Sequence, residues 1–375
     1  MKKTLAIAAC AAGYACAAHA QSSVALYGVI NAGFSYASNQ HGNSGVSATS
    51  GDLQGSHWGF IGAEDLGGGA KAIFRLENGF NLMNGTATQN GREFGYQAYV
   101  GLDDQRLGRV TLGRQYDSVV EFLAPLHKPV SNNLAAHPYD NDNLNHGFRV
   151  NNSVKYSNEW FGGLRVSGLY GFSNDAGEFA NNRAWSAGTS YATGNLKIAA
   201  AYLQVNNTAG SNTDGAVTLS DRTFIAALQR TFGAGATYQA GTARIDFLWT
   251  RSQFDGLKTI NGIGSLGITQ TNANARFDNF EINTMYRFTP AWTLTGAYTY
   301  TAGKLDNRQG NFYPKWNEVS LLLDYACSKR TDVYAEALYQ HLASNGSGLT
   351  ADINRQSPAS GDAQTVLALG LRHRF

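Results

Sequence analysis

Residues 365–375 of the chain read TVLALGLRHRF, and their hydropathy alternates from one position to the next. The large apolar side chains of this stretch are Leu367, Leu369, Leu371 and Phe375. The basic side chains Arg372 and Arg374 stand at even positions. Since successive side chains of a β-strand point to opposite faces of a sheet, the stretch predicts a strand with one apolar and one polar face.

The same period of two recurs along the whole chain. The segments that show it are 24–38, 56–66, 70–82, 94–103, 108–117, 148–160, 163–173, 184–193, 196–206, 231–239, 242–254, 276–288, 291–303, 315–327, 331–343 and 365–375, sixteen in all. Segment 231–239 is the weakest, because residues 222–230 could also be extended. No helix-period run of comparable length competes, so the sequence predicts an all-β fold.

The connections between these segments are alternately short and long. Gly67-Gly68-Gly69 and Gly194-Asn195 are typical short ones. The long ones cover residues 39–55, 83–93, 118–147, 174–183, 207–230, 255–275, 304–314 and 344–364. This alternation is typical of outer-membrane barrels, which have short periplasmic turns and long extracellular loops. An even number of strands then places both chain termini at the short-turn end.

Composition excludes several classes of protein. The chain has 375 residues, of which 43% are hydrophobic and 15% charged, and its formal net charge is +2. It is therefore too apolar for a disordered chain, and it carries no nucleic-acid signal. No apolar run beyond the N-terminus reaches the ~18 residues of a spanning helix. Strands of ~10 residues are long enough to cross a bilayer. A sheet in the bilayer must pair the backbone groups of its edge strands, and a closed barrel does so.

The N-terminus predicts a secretory signal peptide over residues 1–20. Two lysines precede a small and apolar stretch, and Ala18-His19-Ala20 fits the small-x-small cleavage rule. Residues 21–375 then form one barrel domain with a single cysteine, Cys327, which makes neither an internal disulfide nor a zinc cage.

A secreted soluble all-β protein, such as a propeller or a long sandwich, would also show alternating hydropathy. It would not readily place recurring charges on the same face as small residues. The terminal aromatic Phe375 also favours a membrane barrel, because outer-membrane barrels usually end in such a residue.

Eight short motifs resemble, in order and spacing, the Gram-negative general porins of the beta-proteobacterial type. They are SVALYG (23–28), EDLGGG (64–69), RLENGF (75–80), GREFG (91–95), TLGRQY (111–116), NNSVKY (151–156), KRTDVY (329–334) and GLRHRF (370–375). The resemblance covers essentially the whole mature chain. It implies a 16-stranded antiparallel transmembrane β-barrel, with short periplasmic turns and long extracellular loops, that assembles as a homotrimer among outer-membrane lipid and lipopolysaccharide.

The resemblance also implies passive passage of ions and small hydrophilic solutes, with no catalytic residues and no cofactor. A third long loop is expected to fold into the barrel and narrow it. Loop 118–147 supports this expectation, because a structureless loop of about 30 residues in a compact protein is normally functional or disordered. Its beginning is apolar, with side chains suited to packing at Val119, Val120, Phe122, Leu123 and Leu126.

A constriction that sorts ions needs basic side chains on the barrel wall and acids on the inserted loop. By strand parity the basic candidates on the polar face are Arg75, Arg149, Lys155 and Arg165. Arg114 has the parity of the apolar Val110 and Leu112, yet the family places the arginine of GRQ in the pore, so we infer a bulge near Gly113. The best acids of the loop are Asp117 and Glu121, followed by Asp140 and Asp142.

The second strand departs from the family pattern. The family often reads SRWG and a further basic residue, where this chain has SHWG at 56–59 and then Ile61. Parity directs His57 and Ile61 into the lumen, so the wall is less positive above the ordinary histidine pKa of ~6.5. The sign of ion selectivity therefore stays open, and we expect a shift towards anions on acidification as His57 becomes charged.

Two patterns that resemble metal sites do not predict one. Asp140-Asn141-Asp142-Asn143 begins like a calcium loop, but Asn145 and Asn151 stand where that loop needs glycine and glutamate. His127, His137 and His146 lie ten and nine residues apart, a spacing that fits no helical metal site.

Two alternatives to a general porin remain open. A substrate-specific channel would need an aromatic track or a dense run of basic residues along the lumen. A non-conducting barrel, acting as an anchor, an adhesin or an enzyme, would have a plugged lumen. Positions of lumen parity are mostly Asn, Ser, Gly, Lys and Arg, which favours the general channel. In a trimer, loop 83–93 is the candidate contact to a neighbour.

Overall fold

The computed structural model describes residues 22–127, 133–160, 162–206, 214–261, 273–307, 310–344 and 346–375. In these residues sixteen strands form one closed antiparallel barrel. The strands are β1 (Ser23–Gln40), β2 (His57–Gly67), β3 (Ala70–Gly79), β4 (Gln97–Asp104), β5 (Gly108–Gln115), β6 (Val150–Trp160), β7 (Leu164–Gly171), β8 (Ala184–Thr193), β9 (Leu196–Asn206), β10 (Leu228–Ala240), β11 (Ala243–Leu257), β12 (Ala273–Arg287), β13 (Trp292–Asn307), β14 (Lys315–Ala326), β15 (Thr331–Ala343) and β16 (Ala363–Arg374). The signal peptide predicted over residues 1–20 lies outside the described residues.

The ladder between the first and last strands closes the barrel. The middle of β1 pairs with β16 from Val29 opposite Arg374 to Ala37 opposite Val366. Below it, the backbones of Gly28 and Phe375 exchange hydrogen bonds of 3.2 and 3.1 Å. The start of β1 pairs with β2. No edge strand is therefore left in the barrel ring that the structure describes, as a sheet in a bilayer requires.

All sixteen predicted strands are confirmed, and the differences lie at their ends. The weak tenth strand begins at Leu228, three residues before the predicted start, so part of 222–230 is indeed extended. β13 continues to Asn307, beyond the predicted end at 303. β3 ends at Gly79 instead of 82, because the chain turns there into the second loop, residues 80–96.

The described residues also form four short strands outside the barrel ring. Asn43–Ser50 folds back on the upper part of β1. Phe224–Ile225 pairs with Thr259–Ile260. Gly310–Phe312 continues the pairing of β13. The helical segments are also short: α1 (Ser118–Leu123) and single turns at Thr88–Gly91, Pro138–Asp140 and Leu219–Asp221. None of the described helices has the length and apolar character needed to cross a membrane.

The alternation of β16 separates the two faces as predicted. Leu367, Leu369 and Leu371 are 49%, 63% and 46% exposed on the outside of the barrel. Arg372 is buried on the inside, where its Nη2 lies 3.0 Å from Asp332 Oδ2 on β15. The outward band is thus apolar and the interior polar, the arrangement of a transmembrane barrel.

The described parts of the third loop, residues 116–127 and 133–149, fold into the barrel. Helix α1 of this loop packs against the inner faces of β8, β9 and β10. Phe122 and Leu123 are fully buried there with Leu126, in one cluster with Ala199, Ala201 and Leu203 of β9. Each such side chain stabilises the packed loop by about 2 kcal/mol. The expectation of an inward-folded third loop is thereby confirmed.

Glycines on the wall make room for this apolar surface. A Cβ atom added to Gly188 of β8 would lie 2.4 Å from Phe122 Cδ2. A Cβ at Gly233 or Gly235 of β10 would lie 3.0 Å from Leu123 Cδ1 or 2.7 Å from Leu126 Cδ2. The loop and the glycines of the wall are therefore matched in shape.

We expect Gly188→Val to push α1 away from the wall, because its Cβ would overlap the Phe122 ring. Chymotrypsin should then cut the chain between β5 and β6 several times faster, giving two fragments on a denaturing gel. Gly168→Val on β7 is the matched control, since the nearest atom to its Cβ is 3.8 Å away. Equal cleavage of both variants, with both barrels folded, would contradict the packing described.

Candidate functional site

A cavity of about 660 Å³ lies between the third loop and the wall formed by β2, β3, β4 and β6. Its lining residues are Gln54, Gly55, His57, Arg75, Glu77, Gln89, Tyr96, Gln97, Tyr116, Val120, Glu121, Asn133, Asn145, His146, Gly147, Arg149, Lys155, Asn354 and Arg355. The surface is polar, with charged groups from the wall, the third loop and the eighth loop, residues 344–362. The predicted residues His57, Arg75, Arg149, Lys155 and Glu121 meet here.

Arg75 on β3 is fixed at the wall by two neighbours. Its Nε donates to the Tyr27 hydroxyl at 2.7 Å, and its Nη2 lies 2.7 Å from Glu77 Oε2. Tyr27 also donates to the same Glu77 oxygen at 2.5 Å. This ion pair neutralises much of the Arg75 charge at the cavity surface.

Arg149, at the end of the third loop, is held without a carboxylate. Its Nη1 donates to the His146 carbonyl at 2.6 Å, and its Nη2 donates to the Tyr116 hydroxyl at 3.2 Å. The guanidinium carbon lies 4.4 Å from the centroid of the Tyr96 ring and 5.1 Å from that of Tyr116. Aromatic faces stabilise a cation without neutralising it, so the charge of Arg149 is not cancelled by these contacts.

Glu121 on α1 is the acidic member of the cavity. Its Oε2 lies 2.7 Å from Lys155 Nζ on β6 and accepts a hydrogen bond from Ser167 at 2.9 Å. Its Oε1 lies 3.5 Å from Arg165 Nη2 on β7. Burial alone would raise the pKa of Glu121, but Lys155, Ser167 and Arg165 together lower it. Glu121 is therefore ionised at neutral pH and faces two cations.

Arg165 lies just below the main cavity. It lines a second recess of about 250 Å³ near the short-turn end, together with Glu121, Arg109 and Glu159. Glu121 borders both spaces. The charged surface thus continues from the third loop towards the short turns.

His57 on β2 lines the cavity, as its strand parity predicted. Its Nδ1 is 2.8 Å from the Gly55 carbonyl, and its ring centroid lies 5.8 Å from that of Tyr96. With Nδ1–H donating to the carbonyl, Nε2 carries the lone pair of the neutral ring.

Arg355 is a cavity residue that the sequence analysis missed. It comes from the eighth loop, where its φ of 68° turns the chain, and its Nη2 donates to the Ser50 carbonyl at 2.6 Å. A single arginine in a long loop has no periodicity to indicate its direction. No signal in the sequence identifies it.

Arg114, predicted for the pore, does not line the cavity, and neither do the three acids Asp117, Asp140 and Asp142. The bulge inferred near Gly113 is present, as the register of β5 against β6 shifts between Gly113 and Gln115. Arg114, however, is buried beneath the second loop and the described part, residues 214–227, of the loop between β9 and β10. It donates to the Gly95 carbonyl at 2.9 Å and lies 3.1 Å from Asp221 Oδ2. The loops that cover it could not be anticipated from strand parity.

The acids Asp117, Asp140 and Asp142 organise the third loop itself. Asp117 caps α1, accepting from the backbone N–H groups of Val119 at 2.7 Å and Val120 at 3.2 Å. The carboxylate of Asp140 accepts from the N–H groups of Asn145 and Gly147, both at 2.8 Å. Burial and the nearby Asp142 raise the pKa of Asp140 to about 7, and those N–H groups limit the rise. Both oxygens of Asp140 are thus engaged by the backbone of the loop.

The structure brings together two of the three histidines of the third loop. His127 and His137 have ring centroids 4.5 Å apart, and both contact Glu281 of β12. Among the described residues these three form a group whose possible ligand atoms lie within 4.8 Å of one another. His146 lies elsewhere, 4.8 Å from the Tyr116 ring, where burial and Arg149 lower its pKa to about 3.

Comparisons with known proteins place this geometry in context. A model of the Gram-negative porin family matches residues 5–345. An outer membrane porin of Bordetella pertussis is 30% identical over the full length of both chains, and outer membrane porin protein 32 of Delftia acidovorans is 27% identical over the same coverage. Among solved structures, the anion-selective porin from Comamonas acidovorans superimposes with a TM-score of 0.72 at 21% identity. That match covers 95% of this chain and 100% of that one.

We expect Glu121→Gln to make the lumen more anion-selective, because it leaves Lys155 and Arg165 without their shared counter-charge. One charge acting over ~10 Å in water is worth about 0.4 kcal/mol, or about a twofold change in permeability ratio. The reversal potential in a planar bilayer under a dilute salt gradient measures it. Glu178→Gln, in the exposed loop between β7 and β8, is the matched control. An equal shift in the two variants would contradict the assignment of Glu121.

Proposed function

Because this chain belongs to the Gram-negative porin family and is a diffusion channel of the outer membrane, we propose that ions and small hydrophilic solutes pass through the cavity beside its third loop. Residues 118–147 form the constriction of the single barrel domain. The basic side chains that act on solutes are those of Arg75, Arg149, Lys155 and Arg355, and the acid is Glu121. Arg165 extends this surface towards the short-turn end.

The unequal charge of the cavity favours anions. Arg75 is paired with Glu77, and Lys155 with Glu121. In the described part of the chain, no ion pair within 4.0 Å involves Arg149 or Arg355, although both line the cavity. These two unpaired cations are the observation that carries the proposal. The similar porin from Comamonas acidovorans is described as anion-selective, which supports the same sign here.

The channel acts on solutes through charge and size, without a catalytic step. Diffusion through a water-filled pore needs no nucleophile and no cofactor, and we assign none. The aromatic side chains of the cavity, Tyr96 and Tyr116, are used to hold Arg149. They form no track along the lumen of the kind a substrate-specific channel needs, so a general channel fits the described cavity better.

The barrel is proposed to function as a homotrimer surrounded by outer-membrane lipid and lipopolysaccharide. An outer membrane protein of Vibrio cholerae, described in its trimer form, has a similar fold, with a TM-score of 0.65 at 16% identity. Loop 83–93 stays the predicted contact to a neighbouring protomer. Its end is also fixed within the chain, where Arg92 Nη1 lies 2.8 Å from Asp221 and Asn90 donates to that carboxylate at 2.8 Å.

Replacing Arg149 with glutamine should weaken anion preference about twofold, by the same estimate for one charge near the ion path. The reversal potentials of the purified wild-type and Arg149→Gln channels, under bi-ionic conditions or a salt gradient, measure this change in anion preference. Arg287→Gln removes an exposed arginine at the short-turn end of β12 and should leave the potential unchanged. A wild-type potential in Arg149→Gln would mean that this guanidinium does not act on permeating ions.

Acidification from pH 8 to pH 5 should move selectivity further towards anions, since histidine gains its positive charge over this range. His57→Gln should remove most of that shift, because glutamine fills the position without titrating. The reversal potential of both proteins at several pH values gives the answer. A wild-type potential that does not change with pH, or an equal shift in His57→Gln, would overturn the role given to His57.

A further inference from the structure

The third loop is fastened to the barrel wall by a buried cluster on the side away from the cavity. His127 Nδ1 lies 2.5 Å from Glu281 Oε2, and His137 Nε2 lies 2.8 Å from the same oxygen. The three side chains are at most 1% exposed. Glu281 belongs to β12, whereas the two histidines belong to the loop, so the cluster joins two separate parts of the chain.

His137 has a carboxylate oxygen at each ring nitrogen, Asp142 Oδ2 at 2.7 Å from Nδ1 and Glu281 Oε2 at 2.8 Å from Nε2. A neutral imidazole has one N–H and one lone pair, so one of these two contacts would place a lone pair against a carboxylate. Either a proton or a metal cation can supply the attraction. The cluster is thus built to hold a cation of some kind.

The surroundings fix the direction of each donor atom. Asp142 Oδ2 lies 2.7 Å from His137 Nδ1 and is itself held by the Thr250 hydroxyl at 2.5 Å. The other oxygen of Glu281 accepts a hydrogen bond from Asn283 at 2.7 Å. A carboxylate behind a ligating histidine, and a hydrogen bond behind a ligating carboxylate, are the usual outer contacts of a metal site.

We propose that His127, His137 and Glu281 form a zinc site that ties the third loop to the barrel wall. Two imidazoles and one carboxylate are a known ligand set for zinc, with a fourth tetrahedral position left for water. Calcium and magnesium take six or more oxygen ligands in place of imidazole nitrogen, so this donor set does not suit them.

The donor spacing is close to what a zinc ion needs. Bonds of about 2.0–2.1 Å in a tetrahedron place donor atoms about 3.3 Å apart. The contacts to Glu281 are 2.5 and 2.8 Å, so an ion would spread each of these two pairs by less than ~1 Å. The two histidine nitrogens lie within 4.8 Å of each other and would move to about 3.3 Å. Side-chain torsions can supply such a shift, and the ion then replaces protons that otherwise bridge the same atoms.

The experiment measures metal binding by untagged, refolded protein after treatment with a chelator. Bound zinc is counted per chain after zinc titration and dialysis, and cobalt absorption reports tetrahedral coordination by the same ligands. Glu281→Gln and His127→Gln each remove one donor while keeping side-chain size. His146→Gln, a buried histidine of the same loop outside the cluster, is the matched control. Heat-dependent gel mobility and circular dichroism confirm that every barrel has folded.

We expect one zinc ion per chain in the wild type and in His146→Gln, with affinity at least tenfold weaker in either cluster variant. Failure of the wild type to bind zinc or cobalt at micromolar concentrations would mean that protons alone occupy the cluster, and would overturn the proposal. So would unchanged binding in both cluster variants, which would place the metal elsewhere. The wild-type result decides between these outcomes even if a variant does not fold. None of these outcomes depends on ion conduction.

Discussion

Closure of the backbone hydrogen-bond ladder is the constraint on which the rest of the structure depends. A sheet that crosses a bilayer cannot leave N–H and C=O groups unpaired at an edge, because each would cost several kcal/mol in hydrocarbon. The pairing of β1 with β16 and the exchange between Gly28 and Phe375 remove that edge. Closure also fixes which face of every strand is inside. The charged side chains that interrupt each apolar strand are therefore collected in one lumen.

Closure creates an interior that must then be partly filled. The third loop fills part of the interior, and it contacts the wall through two different surfaces. The apolar surface of α1 packs on glycine and alanine positions of β8 to β10, while the polar part of the loop is bound to β11 and β12 through Asp142, Thr250 and Glu281. The remaining side of the loop faces β2, β3 and β6 across the open cavity. Glu121 lies opposite Lys155 because the third loop is packed against the wall in this way.

Local sequence pattern was sufficient to predict the sixteen strands and their order. Each strand carries its own period of two, and that signal needs no knowledge of the remainder of the chain. The same parity correctly placed His57, Arg75 and Lys155 at the cavity. The bulge at Gly113 was found through family resemblance, since parity alone pointed Arg114 towards lipid.

Long-range contacts between loops were not predictable in this way. Arg355 reaches the cavity from a loop more than 200 residues away from Arg149 in sequence. Arg114 is covered by Asp221, and His127 and His137 meet Glu281 of β12. These contacts depend on how loops of 15 to 35 residues fold over a closed barrel, and no periodicity encodes that.

The most direct test of the account is the reversal potential of the wild-type channel in a planar bilayer under a potassium chloride gradient. We expect an open channel whose potential has the sign of chloride preference, because Arg149 and Arg355 line the cavity without paired carboxylates. A potential with the sign of potassium preference would contradict the charge balance proposed for the constriction. A folded barrel that inserts and does not conduct would contradict the open cavity itself.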